Sequence, residues 1–421
     1  MRRLLAPVGI LVFVFAVGCS SDEPASNGGT IEFQLTGDPE EIVVYESLVQ
    51  SFEDANPDIQ VKMIPLAEKD DHLTKLTASF IEGNPPDVFL VNFREYAQFV
   101  VRDAIEPVEP RLGDLGISTG DYYPQPLDAF TYDDALQCMP QNISSLVVYY
   151  NKKLFREAEL DAPEPDWTWE DFRQTALDLT QGDARGVGIE PNIIRMAPFV
   201  WSNGGEIVDD PDSPTRFTLD EPAAREALEF IVSLVRDDEV VPTEEEVTAA
   251  EDLETMFASG KLGMLLSSRR DTPEFREVTE LKWDVAALPV GEEPAGILHS
   301  DAYCVSAEAD NIDAAFEFVS FAAGEKGQTL TALGGRTVPS LKSVATSGAF
   351  LNPLEPPSNS QVFLDAVPTI RATPVLPTWP EIEDVAEEIL TRAFYEPDYT
   401  IDDAVRDLDE QTRPLFEEAA E

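Results

Sequence analysis

The chain has 421 residues, 43% of them hydrophobic, and sets 81 acidic against 29 basic residues for a net charge of −52. Such a length suits two or three domains with real cores, and such a charge excludes a nucleic-acid partner, whose phosphates it would repel. Acidic side chains spread over every predicted helix read as a solvated surface, suited to a salty habitat where screening limits self-repulsion.

At the N-terminus, Arg2 and Arg3 precede an apolar run over 4–17, which is short for a membrane span. Ala16-Val17-Gly18-Cys19 then resembles a bacterial lipobox, with Ala16 where Leu is usual. These residues predict a signal peptide over 1–18, lipidation of Cys19, and a flexible tether over 19–29. No later run approaches the ~20 apolar residues of a helical span. The expected location is the extracytoplasmic face of a membrane, held there by the lipid alone.

From residue 30 the pattern alternates. A strand over 30–36 leads into a helix over 40–55, with Val43, Val44, Leu48, Val49 and Phe52 assigned to its inner face. A strand over 59–65, a helix over 70–82 and a strand over 87–91 follow, which predicts βαβ units and a mainly parallel sheet. Residues 106–134 read as loop and short helix. Gln141, Asn142, Ser144 and Ser145 then stand at the mouth of an apolar strand, Leu146 to Tyr150. Polar side chains at a buried strand end suit a ligand cleft. Thr168 is a predicted N-cap, with Asp171 three residues on to complete a capping box. An amphipathic helix over 221–236, a strand over 283–289, a helix over 314–323 and two closing helices, from 379 and over 401–418, complete the reading.

Six blocks carry a family resemblance: "TGDPEE…SFEDANPDIQVKMIPL…GNPPDVFLVN", "CMPQNISSLVVYYNKKLF", "PDWTWEDF", "APFVWSNGGEIV", "FASGKLGMLL" and "GGRTVP". In this order over about 30–418, the chain resembles the family 1 extracellular solute-binding proteins of ABC importers, the group of the maltose- and glycerol-phosphate-binding proteins. The resemblance implies an α/β, two-lobe periplasmic-binding-protein type II (Venus-flytrap) fold with hinge crossovers near 139–145 and 298–304 and a third pass near 340–355. Lobe 1 would take 30–140 plus 300–345, and lobe 2 would take 141–299 plus 346–421. It also implies a monomer that captures a small-molecule carbohydrate between the lobes and presents it to the transmembrane permease subunits, with no cofactor.

Sugars need planar polar groups that donate and accept, plus aromatic faces for stacking. The candidate contacts are Asp38 after the first strand, Asn92 and Arg94 after the third, and Gln141, Asn142 and Ser144 on the first crossover. Asp301 and Tyr303 lie on the return crossover, and Arg336 sits in a Gly-rich loop with a bidentate donor fork. Trp201 and Trp379 are the candidate stacking platforms, with core packing as the other reading of each. Cys138 and Cys304 either form one disulfide or remain two buried thiols. No Walker-A loop, HExxH helix or GxSxG elbow occurs, and His72 and His299 are the only histidines, which excludes a His-rich metal site. The alternatives are a secreted glycan hydrolase using two carboxylates and a ferric-ion-binding protein using Tyr149 and Tyr150.

Overall fold

The computed structural model describes residues 28–420. The predicted signal peptide over 1–18 and the predicted lipidation site, Cys19, fall outside the described residues. Two sheets organise the chain. In the first, the order is Ile59–Leu66, Gly29–Thr36, Val88–Asn92, Asp301–Ser306, Ile105–Glu106, with Met139–Pro140 also paired to Asp301–Ser306. Gly29–Thr36 runs parallel to both its neighbours, joined by helices Pro39–Ala55 and Lys69–Glu82. The returning strand Asp301–Ser306 is antiparallel to Val88–Asn92. Both are buried along almost their whole length, which is why they read as apolar runs with little alternation.

The second sheet has the order Trp283–Ala286, Val147–Asn151, Leu262–Ser267, Arg185–Gly188. Strand alternation splits the adjacent tyrosines between its two faces. Tyr149 packs against Phe257, Phe275 and Trp283 and donates its hydroxyl to the Ser268 carbonyl at 2.7 Å. Tyr150 packs on Phe155 on the other side. The pair therefore forms no iron-binding couple here. Helices Ile193–Ser202, Pro222–Arg236, Trp379–Tyr395 and Ile401–Ala419 cover the Tyr150 face in one core.

The sheets are joined where several passes of chain run side by side. The Gln141 N–H donates to the Asp301 carbonyl at 2.8 Å, and Ser144 and His299 exchange both backbone bonds at 2.9 Å. The Ile143 N–H donates to the Val338 carbonyl, and Gly296–Ile297 pairs with Ile370–Arg371. Cys138 and Cys304 are disulfide-bonded across 166 residues, on the first-sheet side of this junction. On the other side, the buried Arg269 guanidinium lies over the Phe350 and Phe363 rings at 4.8 and 5.2 Å. Its Nε donates to the Gly335 carbonyl at 2.7 Å. Gly335 holds that carbonyl with φ +91°, a conformation that glycine adopts without steric cost.

Local signals explain most helix starts. Thr168 and Asp171 form the capping box of Trp169–Leu179, each side chain bonding the other's backbone. One face differs from expectation. Helix Pro39–Ala55 buries Glu41, Tyr45, Leu48, Val49 and Phe52, while Val43 is 59% exposed. The buried set runs i, i+4, i+7, i+8, i+11, the spacing of one helical stripe. Following the valines alone turned the predicted face away from Glu41 and Tyr45.

Candidate functional site

The polar residues of the crossovers meet the end of the first sheet in one connected network. Asp301 opens its strand opposite Asn92. Asn92 Nδ2 donates to Asp301 Oδ1 at 3.0 Å, and Asn142 Nδ2 donates to Asp301 Oδ2 at 3.2 Å. The Asp301 N–H returns a bond to Asn142 Oδ1 at 2.7 Å. Asn92 Oδ1 in turn accepts from the Arg94 backbone N–H and from Arg94 Nε, at 3.2 and 3.1 Å. Each planar group is thus oriented by its neighbour, a rigid arrangement for reading a ligand's hydroxyls.

Behind this layer, Gln141 Nε2 donates to the hydroxyls of Tyr45 and Tyr303 at 2.6 and 2.8 Å, and Gln141 and Tyr303 are each 1% exposed. These two hold the layer in front of them. Arg336 bonds Asp38 Oδ2 and Glu41 Oε2, both at 2.7 Å. Burial pushes the Glu41 carboxyl up to about 7 despite the attraction of Arg336, with Asp301 and Asp38 adding repulsion. Ser144 takes part through its backbone, its hydroxyl turned toward the Ser145 carbonyl at 3.4 Å.

Nine of the expected contacts therefore gather at or just behind the crossovers: Asp38, Asn92, Arg94, Gln141, Asn142, Ser144, Asp301, Tyr303 and Arg336. The two tryptophans are not open platforms. Trp379 is 0% exposed and packs on Phe217 and Phe416. Trp201 is 2% exposed, within a helix whose ten residues are all buried, and the Arg371 guanidinium lies 4.7 Å over its ring. A large apolar ring at strong helical periodicity goes to the core, since burying it is worth several kcal/mol, roughly 3–5 by truncation.

Other residues escaped the sequence reading. From the second sheet's side come Glu383, which bonds Arg94 Nη1 at 2.6 Å, and Arg195, which bonds Glu190 at 2.7 Å. Arg195 is 6% exposed, and its Nε has no hydrogen-bond partner among the described residues. His299 Nε2 is buried and unpartnered in the same way. Burial holds the His299 pKa well below its ordinary value, and the positive charges of Arg94, Arg195 and Arg270 lower it further. The imidazole is neutral at pH 7. Glu190 is drawn below the usual carboxylate range, chiefly by Arg195. Among the described residues no group of three or more His, Cys, Asp or Glu could hold a metal ion, and no helix is long and apolar enough to cross a membrane.

Comparison with known proteins gives the network its setting. A binding protein of Brucella abortus is 25% identical over 418 residues, spanning 96% of this chain and 97% of its own. The sn-glycerol-3-phosphate-binding periplasmic protein UgpB of Salmonella typhimurium is 27% identical over 265 residues, 60% of this chain and 59% of that protein. An ABC substrate-binding protein of Listeria monocytogenes, solved in complex with cycloalternan, superposes with a TM-score of 0.83 at 24% identity, covering 93% of this chain and 98% of that one. UgpB of Mycobacterium tuberculosis, solved with glycerophosphocholine, gives a TM-score of 0.80 at 20% identity, covering 93% and 99%. These superpositions share the two-lobe type II fold. The family model for bacterial extracellular solute-binding proteins matches residues 47–353, across both sheets and two crossovers, and the chain belongs to that family.

Proposed function

We propose that this protein is the substrate-binding subunit of an ABC importer, capturing a sugar or oligosaccharide between its lobes and delivering it to the membrane permease. The observation that carries this reading is the Asn92–Asp301–Asn142 network, in which amide and carboxylate groups alternate at the junction of both lobes. Groups of this kind match hydroxyls, which donate and accept at once. The lobes divide at the crossovers, 30–140 plus 300–345 against 141–299 plus 346–421. A solute touching both favours closure by its differential contacts. Relatives solved with cycloalternan and with alpha-D-tagatose support a carbohydrate.

A thermal-shift screen of mono-, di- and oligosaccharides, followed by calorimetry, tests the reading. A raised melt with saturable heat and no product formed is the expected result. Turnover of a glycan would instead establish the hydrolase. A second reading, a polyol phosphate, is favoured by the unpartnered Arg195 Nε and by the arginines around His299. The screen therefore includes sn-glycerol 3-phosphate and glycerophosphocholine. The protein works as a lipid-anchored monomer, so Cys19→Ala releases it from the membrane fraction. A variant that still sediments with membranes would overturn the anchor.

A further inference from the structure

One second-lobe side chain reaches into the first-lobe network. Helix Trp379–Tyr395 buries Trp379, Ile382, Ala386 and Ile389. One turn after Trp379, Glu383 is neither in that core nor fully solvated, with 16% of its side chain exposed. Its two oxygens are used differently. Oε1 accepts from the Trp379 indole Nε1 at 2.5 Å, and Oε2 accepts from Arg94 Nη1 at 2.6 Å. Arg94, itself 14% exposed, also holds Asn92 Oδ1 through Nε. The bonds run unbroken from the second-lobe core, through Glu383, Arg94 and Asn92, to Asp301 and Asn142 on the crossovers.

Two features set this pair apart from an ordinary surface ion pair, which contributes little. The indole N–H fixes the carboxylate before Arg94 arrives, so pairing costs little further side-chain freedom on the Glu383 side. The pair also joins residues 289 apart on different lobes, so separating the lobes must break it. Within the first lobe, Arg94 also feels the attraction of Glu95 and Asp301. Without Glu383 its guanidinium would be drawn back toward its own lobe. Arg94 Nη2 makes no hydrogen bond among the described residues, which leaves a charged donor edge beside the network.

We propose that Glu383 is a positioning residue. It crosses from the second lobe to fix the Arg94 guanidinium with its free edge toward the solute, and it clasps the lobes together. The solute half of this proposal rests on Arg94 being a solute contact, whereas the clasp does not. The test therefore uses the full chain without solute. Small-angle scattering reads lobe separation, and the Trp379 indole N–H resonance, assigned through Trp379→Phe, reads the carboxylate.

Glu383→Gln and Arg94→Met are each expected to enlarge the radius of gyration, and the double variant to enlarge it no further. Arg94→Met should also move the Trp379 resonance, although Arg94 does not bond the ring. If Arg94→Met fails to fold, Arg94→Gln, which keeps a planar donor and loses the charge, replaces it. An unchanged radius in both single variants, or a Trp379 resonance blind to Arg94, overturns the proposal. A solute screen that returns nothing would sink the sugar reading and leave these readouts standing.

Discussion

The crossover network and the tryptophan core are built from residues chosen on the same chemical argument, yet they occupy opposite environments. Asn92, Asn142 and Asp301 are short and polar and close a strand end, where their groups bond one another and Arg94. Trp201 and Trp379 lie on helices and carry large apolar surfaces, which the second core absorbs almost completely. A polar group at a strand end has few places to go, while an aromatic ring fits a cleft or a core equally well. Position constrains the first and leaves the second open.

Breaking the core should give the largest effect. Trp379→Ala removes a ring that is 0% exposed, at a cost of roughly 3–5 kcal/mol, read as a lower ligand-free melt by calorimetry. Retained stability with lost solute affinity would return Trp379 to the cleft. Next, replacing both bonded cysteines, Cys138→Ser with Cys304→Ser, frees a loop of 166 residues and should cost about 2–5 kcal/mol. An unchanged non-reducing melt would contradict it.

Asp301→Asn sharpens the comparison from the other side. It leaves the Asn92 and Asn142 donors facing a side chain with a single acceptor oxygen, a loss of about 1–3 kcal/mol. Solute affinity should fall by more than stability does, the reverse of Trp379→Ala. The last effect is a difference in pH response and concerns Glu41, one group among 81 acids. Its carboxyl is raised from 4.5 to about 7 by burial, so the folded state binds its proton more tightly than the unfolded one. Stability from this group is full below pH 4.5 and is lost as pH rises through about 7. Glu254, raised to about 7 as well, titrates in the same window, so the measurement is the difference in melt between pH 5 and pH 8 for wild type and Glu41→Gln. The variant should lose less on that rise, and an equal loss would remove Glu41 as a contributor.

Much of this was legible in residue order. The alternation of strands and helices gives the first sheet, and the polar run before Leu146 marks the junction, because both are local patterns. Glu41 and Tyr45 were hidden by a helix stripe drawn through exposed Val43. Glu383 was hidden more deeply, since it meets Arg94 289 residues away and nothing local distinguishes it from the other acids of its helix. What a long-range contact supplies cannot be read from neighbours in sequence.

The interleaving of the two sheets also governs when each can exist during synthesis. Strand Asp301–Ser306 sits inside the first sheet, beside Val88–Asn92, and its first residue follows Asn92 by 209 positions. A chain growing from its N-terminus therefore carries the first lobe as an unfinished edge while the whole second sheet is made. Non-local pairing of this kind is slow, because loop closure is opposed by entropy before any contact rewards it. The first sheet cannot be completed until the last third of the chain arrives, so a chain threaded through a narrow channel as it is made passes most of its length before that sheet can close.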